Sequence, residues 1–569
     1  PRSRGLGDVY KRQIWSVCNS CEDTLTEAPD SYYQRKDFFV NISNAQLATK
    51  GVYHVLSTIY GDKDGMAIPC SDDTYYTSGT GSDNGRRDIT HYNVKPSNTW
   101  INAVWKGKYE SINRANYTIS GIESMKNYQS SDELKELVAE VKFLRAQAAL
   151  DLVRYWGDVP FKTNYSDNYE DTYLPRTDRE SIYEQIIDDL AFAKKHLPWA
   201  DASSSPERAT QGAARALLMR TLLTRAGYSL KPDGKMTRPD EETRQKYFKA
   251  VINEWEAFQE NGYHRFYAAG YPNLFKDFSA GILNSEESLF EIAFLIPTNK
   301  GYWGSNNGPL VAAPGISPLE ASQFMGRANA TFRVVPEWKD FFEEKDTRRD
   351  IMICTYKYVW DPETYNHVKV ENKNARDWYP GKWRREWMPI GYEDPNLTNV
   401  NFCLLRYADV VLMAAEAYNE LGDTPTAWGL LNSVRRRAGA TEITSSNYTT
   451  LLKAPKVYNL DFINDKDEAG RFRTALYWER GFELAFEGQR KYDLIRWGII
   501  KEALVLFSNN INTSINNATQ TNYPAGKNFQ KGKHELLPIP EDELQINYKL
   551  NNLNNPCLLY TSDAADDKA

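Results

Sequence analysis

The chain has 569 residues, 69 basic and 76 acidic, so its formal net charge of −7 is small for the length. No basic patch dominates, which argues against a nucleic-acid partner, and 41% hydrophobic with 25% charged residues is the make-up of a large folded globule. No stretch approaches the ~20 apolar residues that span a bilayer, so any membrane attachment must come from a lipid or a partner.

The two ends read as non-native. Residues 8–13, DVYKRQ, and 557–562, CLLYTS, are encoded by one DNA string read in opposite directions. GATGTGTATAAGAGACAG gives the first; its reverse complement, shifted by one base and extended by a T, gives the second. The expected organisation is therefore adapter translation at 1–13 and 557–569, a truncated signal-peptide remnant at 14–20, and one domain at 21–556. Five cysteines then remain, at 18, 21, 70, 354 and 403, with no second CxxC and no histidines at metal spacing, so neither a metal nor a cofactor is expected. Ser20 before Cys21, and Glu22 and Asp23 after it, are the surroundings of a lipidated first residue. Cys21 is the expected lipid anchor, and Cys18 is the alternative.

Helical periodicity appears at roughly 36–60, 99–124, 131–156, 178–197, 207–227, 240–260, 403–421, 424–438 and 474–507. Between the first two lies the loop Ser71–Arg87, in which Tyr75 and Tyr76 sit among hydroxyls, amides, Arg86 and Arg87. The 131–156 segment is written most sharply, because apolar residues recur from Leu134 to Tyr155 at three-and-four spacing while Asp132, Glu136 and Glu140 lie off the stripe. Ser130 with Glu133 reads as a capping box, Gly157 as the terminating glycine, and Pro160 cannot continue the helix.

Consecutive segments with short linkers, such as 99–124 with 131–156 and 403–421 with 424–438, read as hairpins. They carry small residues on the inner side (Ala146, Ala148, Ala149; Ala213, Ala214, Ala216; Ala414, Ala415, Ala417), the packing of tetratricopeptide-type repeats. The expected fold is mostly α: a tetratricopeptide-like helical-hairpin body, about 36–260 and 403–507, with a loop-rich insertion at about 262–400 that carries the binding face. That insertion is rich in Gly, Asn, Pro and aromatics, including Tyr302 and Trp303 between glycines and Trp378, Tyr379, Trp383 and Trp387 in one run. Aromatic faces beside amides and arginines suit the C–H faces and hydroxyls of a sugar. The alternative for any one ring is packing under its own loop.

In the late helix, Glu479, Arg480, Glu483, Glu487, Arg490, Asp493 and Arg496 alternate at helical spacing, so each carboxylate has an arginine within a turn. This reads as a paired network rather than an acid–base site, since an adjacent arginine lowers a carboxyl pKa where general acid catalysis needs it raised. HExxH, GxSxG, GxxxxGK[ST] and GxGxxG are all absent. Two isolated carboxylates would suffice for a glycoside hydrolase, so an α-helical glycosidase is the rival enzyme reading and a helical-repeat scaffold the rival interaction reading.

KFLRAQAALDLVRYWGDVPF at Lys142–Phe161 and WERGFELAFEGQRKYDLIRW at Trp478–Trp497 resemble the paired motifs of the SusD/RagB family of nutrient-binding lipoproteins. LLRYADVVLMAAEAYNELG from Leu404, LLNSVRRRAGA from Leu430 and HELLPIPEDEL from His534 match in order and spacing. The resemblance implies a non-enzymatic, lipid-anchored protein of the outer-membrane cell surface. Such a protein captures a glycan and delivers it to a SusC-like TonB-dependent transporter. The ligand-binding residues expected on this reading are Tyr75, Tyr76, Arg86, Tyr302, Trp303, Trp378 and Tyr379.

Overall fold

The computed structural model describes residues 35–61, 63–76, 81–294, 308–312, 325–389, 397–451, 463, 466–508 and 524–550. Its principal helices are α1 (Ile42–Ile59), α2 (Thr99–Glu123), α3 (Asp132–Trp156), α4 (Arg179–His196), α5 (Gln211–Ala226), α6 (Glu241–Asn261), α7 (Tyr271–Ala280), α8 (Tyr407–Glu420), α9 (Thr424–Arg437), α10 (Glu468–Leu484), α11 (Arg490–Arg496) and α12 (Ile500–Ser508). Consecutive helices pack on one another, α2 on α3, α3 on α4, α5 on α6 and α8 on α9, giving the mostly helical, tetratricopeptide-like body. All nine alanines expected on the inner sides are buried. Side chains pack directly onto bare backbone: a Cβ on Gly121 would come within 2.2 Å of the Phe39 ring, and one on Gly107 within 2.7 Å of the Ile59 side chain.

The details of α3 differ from its periodicity. Ser131, not Ser130, caps it, its hydroxyl accepting the Leu134 amide at 3.2 Å, while Glu133 instead accepts from Gln46 at 3.0 Å. Glu140 is buried rather than solvated, because α1, α2 and α4 all pack on α3 and cover it nearly all round. Its carboxylate accepts from the Tyr53 hydroxyl at 2.6 Å and Arg208 Nε at 2.7 Å. At the other end Gly157 has φ +76°, and a Cβ there would come within 2.5 Å of Arg179 Nη2.

Two other boundaries shift. The segment at 403–421 begins as a strand, Phe402–Arg406, before α8, because it pairs antiparallel with Ser288–Ile292. The segment at 474–507 is three helices, not one. It breaks where Phe486 (φ +65°), Gly488 (φ +76°) and Gly498 (φ +77°) turn left-handed. The Phe486 amide freed by the break donates to the Asp73 carboxylate at 3.3 Å.

The acidic and basic residues of α10 and α11 are buried and paired, but with partners from other elements. Arg406 donates to Glu287 (2.8 Å), Glu483 (2.9 Å) and Glu487 (2.8 Å). Arg435 donates to Glu479 (2.8 Å) and Glu343 (2.6 Å), Arg348 to Glu479 (2.5 Å), and Lys382 to Glu487 (2.5 Å). Asp493 and Arg496 do pair within one turn, at 2.9 Å. Burial by itself would raise the Glu483 carboxyl, yet Arg437, Arg406, Arg348 and Lys382 hold it down at about 2. A carboxylate so firmly ionised cannot serve as a general acid. This network ties the insertion, through Arg348 and Lys382, to α9 and α10.

Candidate functional site

The strands that bear on the site are short: β1 (Thr74–Tyr76), β2 (Ser288–Ile292), β3 (Phe332–Val334), β4 (Tyr356–Asp361), β5 (Asn366–Glu371), β6 (Tyr379–Pro380, paired with the two-residue strand Ile353–Cys354) and β7 (Phe402–Arg406), counting β1 from the earlier loop and β7 at the far edge. β1 runs antiparallel to β3, with Thr74 opposite Val334, Tyr75 opposite Arg333 and Tyr76 opposite Phe332. The Val334 amide donates to the Trp378 carbonyl at 3.2 Å, which brings β6 alongside. Segments remote in sequence thus gather Tyr75, Tyr76, Arg86, Trp378 and Tyr379 in one place.

The pleat then divides them. Successive side chains of a strand point to opposite faces, and Tyr75 is only 6% exposed, its hydroxyl donating to the Arg376 carbonyl at 2.6 Å. Burial pushes the Tyr75 phenol well above its ordinary value. Tyr379 is 2% exposed, packed with Ala330 and Cys354 under the Arg333 guanidinium 4.5 Å from its ring. These two rings were expected to face a ligand because no helical stripe covers them; β pairing covers them instead. Tyr76, Arg86 and Trp378 stay half-exposed. Tyr302 and Trp303 lie outside the described residues, as do Cys18 and Cys21. Trp383, from the same run as Trp378, is in the core beside Phe275.

Trp100, in the first turn of α2, joins the half-exposed set. Arg86 stands 5.7 Å from the Tyr76 ring and 5.1 Å from the Trp100 ring, and Lys63 approaches Trp100 at 5.6 Å. Arg87 stands 5.5 Å from Tyr76, and Lys339 4.9 Å from Trp378. Sequence reading passed over Trp100 because it lies inside a helical segment. The signal was its place at the helix start, off the buried stripe. The arrangement offers aromatic faces flanked by multiple N–H donors, a combination that receives hydroxyl-rich ligands by stacking and hydrogen bonding.

The base of this face is clamped to the helical body. The Asp72 carboxylate accepts from Arg490 Nε and Nη2, both at 2.8 Å, and from the Tyr477 hydroxyl at 2.6 Å. The Asp72 carbonyl accepts from Trp338 Nε1 at 2.9 Å, and the Asp73 carbonyl from the Val335 amide at 2.9 Å. Burial and the neighbouring Asp72 raise the Asp73 carboxyl to about 6, against the opposing pull of Arg490. No group of three or more His, Cys, Asp or Glu side chains among the described residues is placed to hold a metal ion. A cavity of about 530 Å³ lies elsewhere, on the helical body, where Arg244 and Arg473 meet Glu420 and Arg496 meets Glu416.

Comparison with known proteins agrees with this architecture. A family model described as "SusD family" matches residues 329–557, and one described as "Starch-binding associating with outer membrane" matches residues 29–223. A SusD-like protein of Formosa agariphila is 27% identical over 570 residues, covering 95% of this chain and 96% of that protein. The crystal structure of a SusD homolog from Bacteroides thetaiotaomicron superposes with a TM-score of 0.74 at 27% identity, covering 91% of this chain and 97% of that one. A laminarin-binding SusD-like protein shares the fold at 23% identity with a TM-score of 0.64, covering 91% of this chain and 99% of its own. Family models match residues 29–223 and 329–557, and nearly the whole length aligns to SusD-like relatives, so the comparisons together support a protein of the SusD/RagB family.

Proposed function

We propose that this protein is a cell-surface glycan-binding lipoprotein, anchored in the outer membrane through Cys21 or Cys18, that captures oligo- or polysaccharide and hands it to a SusC-like TonB-dependent transporter. It performs no catalytic step. The observation that carries the reading is the half-exposed aromatic set Tyr76, Trp100 and Trp378, with Arg86, Arg87, Lys63 and Lys339 at its ring faces. Arg86 on the Tyr76 and Trp100 rings supplies donors for sugar hydroxyls, while Tyr75 and Tyr379 hold the strands beneath. Tyr302 and Trp303 belong to the same proposal. Two relatives support the class of ligand by name: the laminarin-binding protein at 23% identity and a surface glycan-binding protein of Bacteroides thetaiotaomicron at 18%.

A glycan array on the purified domain identifies the ligand, and incubation with that glycan separates binder from hydrolase. Saturable binding with no release of reducing ends over hours is expected. Turnover abolished by one Asp or Glu substitution would replace this reading with the glycosidase.

A further inference from the structure

Scattered exposed apolar side chains need no explanation, but a contiguous group of them does. Tyr169 and Tyr548 are 70% and 65% exposed, and Ile546, two residues before Tyr548, is 61% exposed. The half-buried Tyr173 ring stands between the two tyrosines, 6.2 Å from Tyr169 and 6.0 Å from Tyr548. None of the three hydroxyls is hydrogen-bonded within the described residues, so each is open to an outside partner.

The ridge is built from two segments far apart in sequence whose backbones are held by hydrogen bonds. The Thr172 amide donates to the Tyr169 carbonyl at 3.1 Å and the Tyr173 amide to the Glu170 carbonyl at 3.2 Å. Asn168 Oδ1 accepts the Asp171 amide at 3.0 Å, and Asn547 Nδ2 donates to the Leu174 carbonyl at 3.0 Å, stitching the two segments together. The backbone that carries the rings is therefore set before binding, and only the side-chain rotamers remain to be ordered, which lowers the cost of an aromatic contact.

It is also tied to the helix that carries Trp100. The Glu541 amide donates to the Pro96 carbonyl at 3.0 Å, and Asn102 Nδ2 and Lys106 Nζ reach Asp542 at 2.7 Å and 3.0 Å. Asn102 is two residues from Trp100. Six residues of α2 separate Trp100 from Lys106, about 9 Å at 1.5 Å per helical residue, so the segment that ends in Tyr548 is joined to α2 within two turns of Trp100. Around the ridge Asp167, Asn168, Glu170, Asp171 and Gln545 are exposed, while Lys549 stands 5.9 Å from the Tyr548 ring. An acidic rim repels anionic lipid and anionic glycans, and its carboxylates and amides accept hydrogen bonds from hydroxyls.

We propose that Tyr169, Tyr173 and Tyr548 form a second carbohydrate subsite, which engages a neutral polysaccharide already held at Tyr76 and Trp100 through sugars farther along the same strand. This rests on the glycan-binding function proposed above. A second contact on one ligand chain acts by effective concentration, so it strengthens binding only for chains long enough to reach both places.

The test is affinity gel electrophoresis in laminarin and in soluble starch, on the parent, Tyr169→Ala/Tyr548→Ala and Trp100→Ala, with titration of the trisaccharide of whichever polymer retards the parent and thermal melts of each protein. Both tyrosines are exposed, so the double variant should melt like the parent. It should bind the trisaccharide like the parent and the polymer roughly tenfold more weakly. Trp100→Ala should weaken both. Equal retardation of parent and double variant would overturn the second subsite and leave the proposed function intact. Equal losses for trisaccharide and polymer would overturn it too, as would lost co-purification with the transporter at unchanged polymer binding. If neither polymer retards the parent while the array finds no glycan either, the proposed function falls and the subsite with it.

Discussion

Asp72→Ala removes the carboxylate of the clamp under the aromatic face without substituting any ring. The substitution strands the Arg490 guanidinium, which is 3% exposed, and takes three hydrogen bonds from it and from Tyr477. Breaking a buried charge pair from one side costs about 3–5 kcal/mol, because the remaining charge stays desolvated. Asp73 offsets part of this, since its carboxylate also favours the charged Arg490, so the lower end, about 3 kcal/mol, is expected. Replacing both partners by apolar side chains, Asp72→Leu/Arg490→Met, should recover much of the loss. The assay is a double-mutant cycle by urea denaturation and thermal melting, with glycan affinity measured per folded molecule. Affinity should fall for Asp72→Ala because β1, which carries Tyr76, follows directly. A loss below about 1 kcal/mol, or a double variant as unstable as the sum of the singles, would refute the clamp.

Three further outcomes follow from other parts of the molecule. Burial raises the Glu291 carboxyl to about 7, so its contribution to stability is complete below the unfolded value near 4.5 and disappears as pH rises through 7; Glu291→Gln should therefore gain up to about 3 kcal/mol on the parent at pH 8 but nothing at pH 4, and a pH-independent difference in melting would contradict this. Gly481→Ala should destabilise by about 1–3 kcal/mol despite better helix propensity, because its Cβ would come within 2.3 Å of the Trp338 ring, which is fully buried against Phe507; a variant as stable as the parent would mean that ring can move. Cys21→Ala should leave a folded protein that moves from the membrane to the soluble fraction, and release by Cys18→Ala instead would reassign the anchor.

Helix positions were legible wherever the periodicity runs over a long segment, as in α2, α3 and α6. What periodicity does not encode is which surfaces meet. Glu140 looked solvated because only its own helix was in view, and the partners of Glu483 lie in β7, α9 and the insertion, far away in sequence. The break at Phe486–Gly488 was hidden because the FEG sequence sits among good helix formers, and the Asp73 carboxylate that receives the freed amide lies more than four hundred residues upstream. Tyr75 and Tyr379 failed for the same reason. A strand of two or three residues carries too little alternation to reveal its buried side, so the sequence could not tell that Tyr75 and Tyr379 turn inward while Tyr76 and Trp378 stay half-exposed. Trp100 was passed over because it lies inside a helical segment, and Tyr169 and Tyr548 because they are far apart in sequence and become part of one surface only when the chain folds.

The central claim, glycan capture on an aromatic face, is tested most directly by isothermal titration of the array-identified glycan into the parent, Trp100→Ala and Trp378→Ala, with melting temperatures alongside. The account predicts that each variant melts close to the parent and binds about 1–3 kcal/mol more weakly, the range of a stacked aromatic anchor. Unchanged affinity per folded molecule in both variants, with stability lost by the ~3–5 kcal/mol typical of a truncated core aromatic, would contradict it.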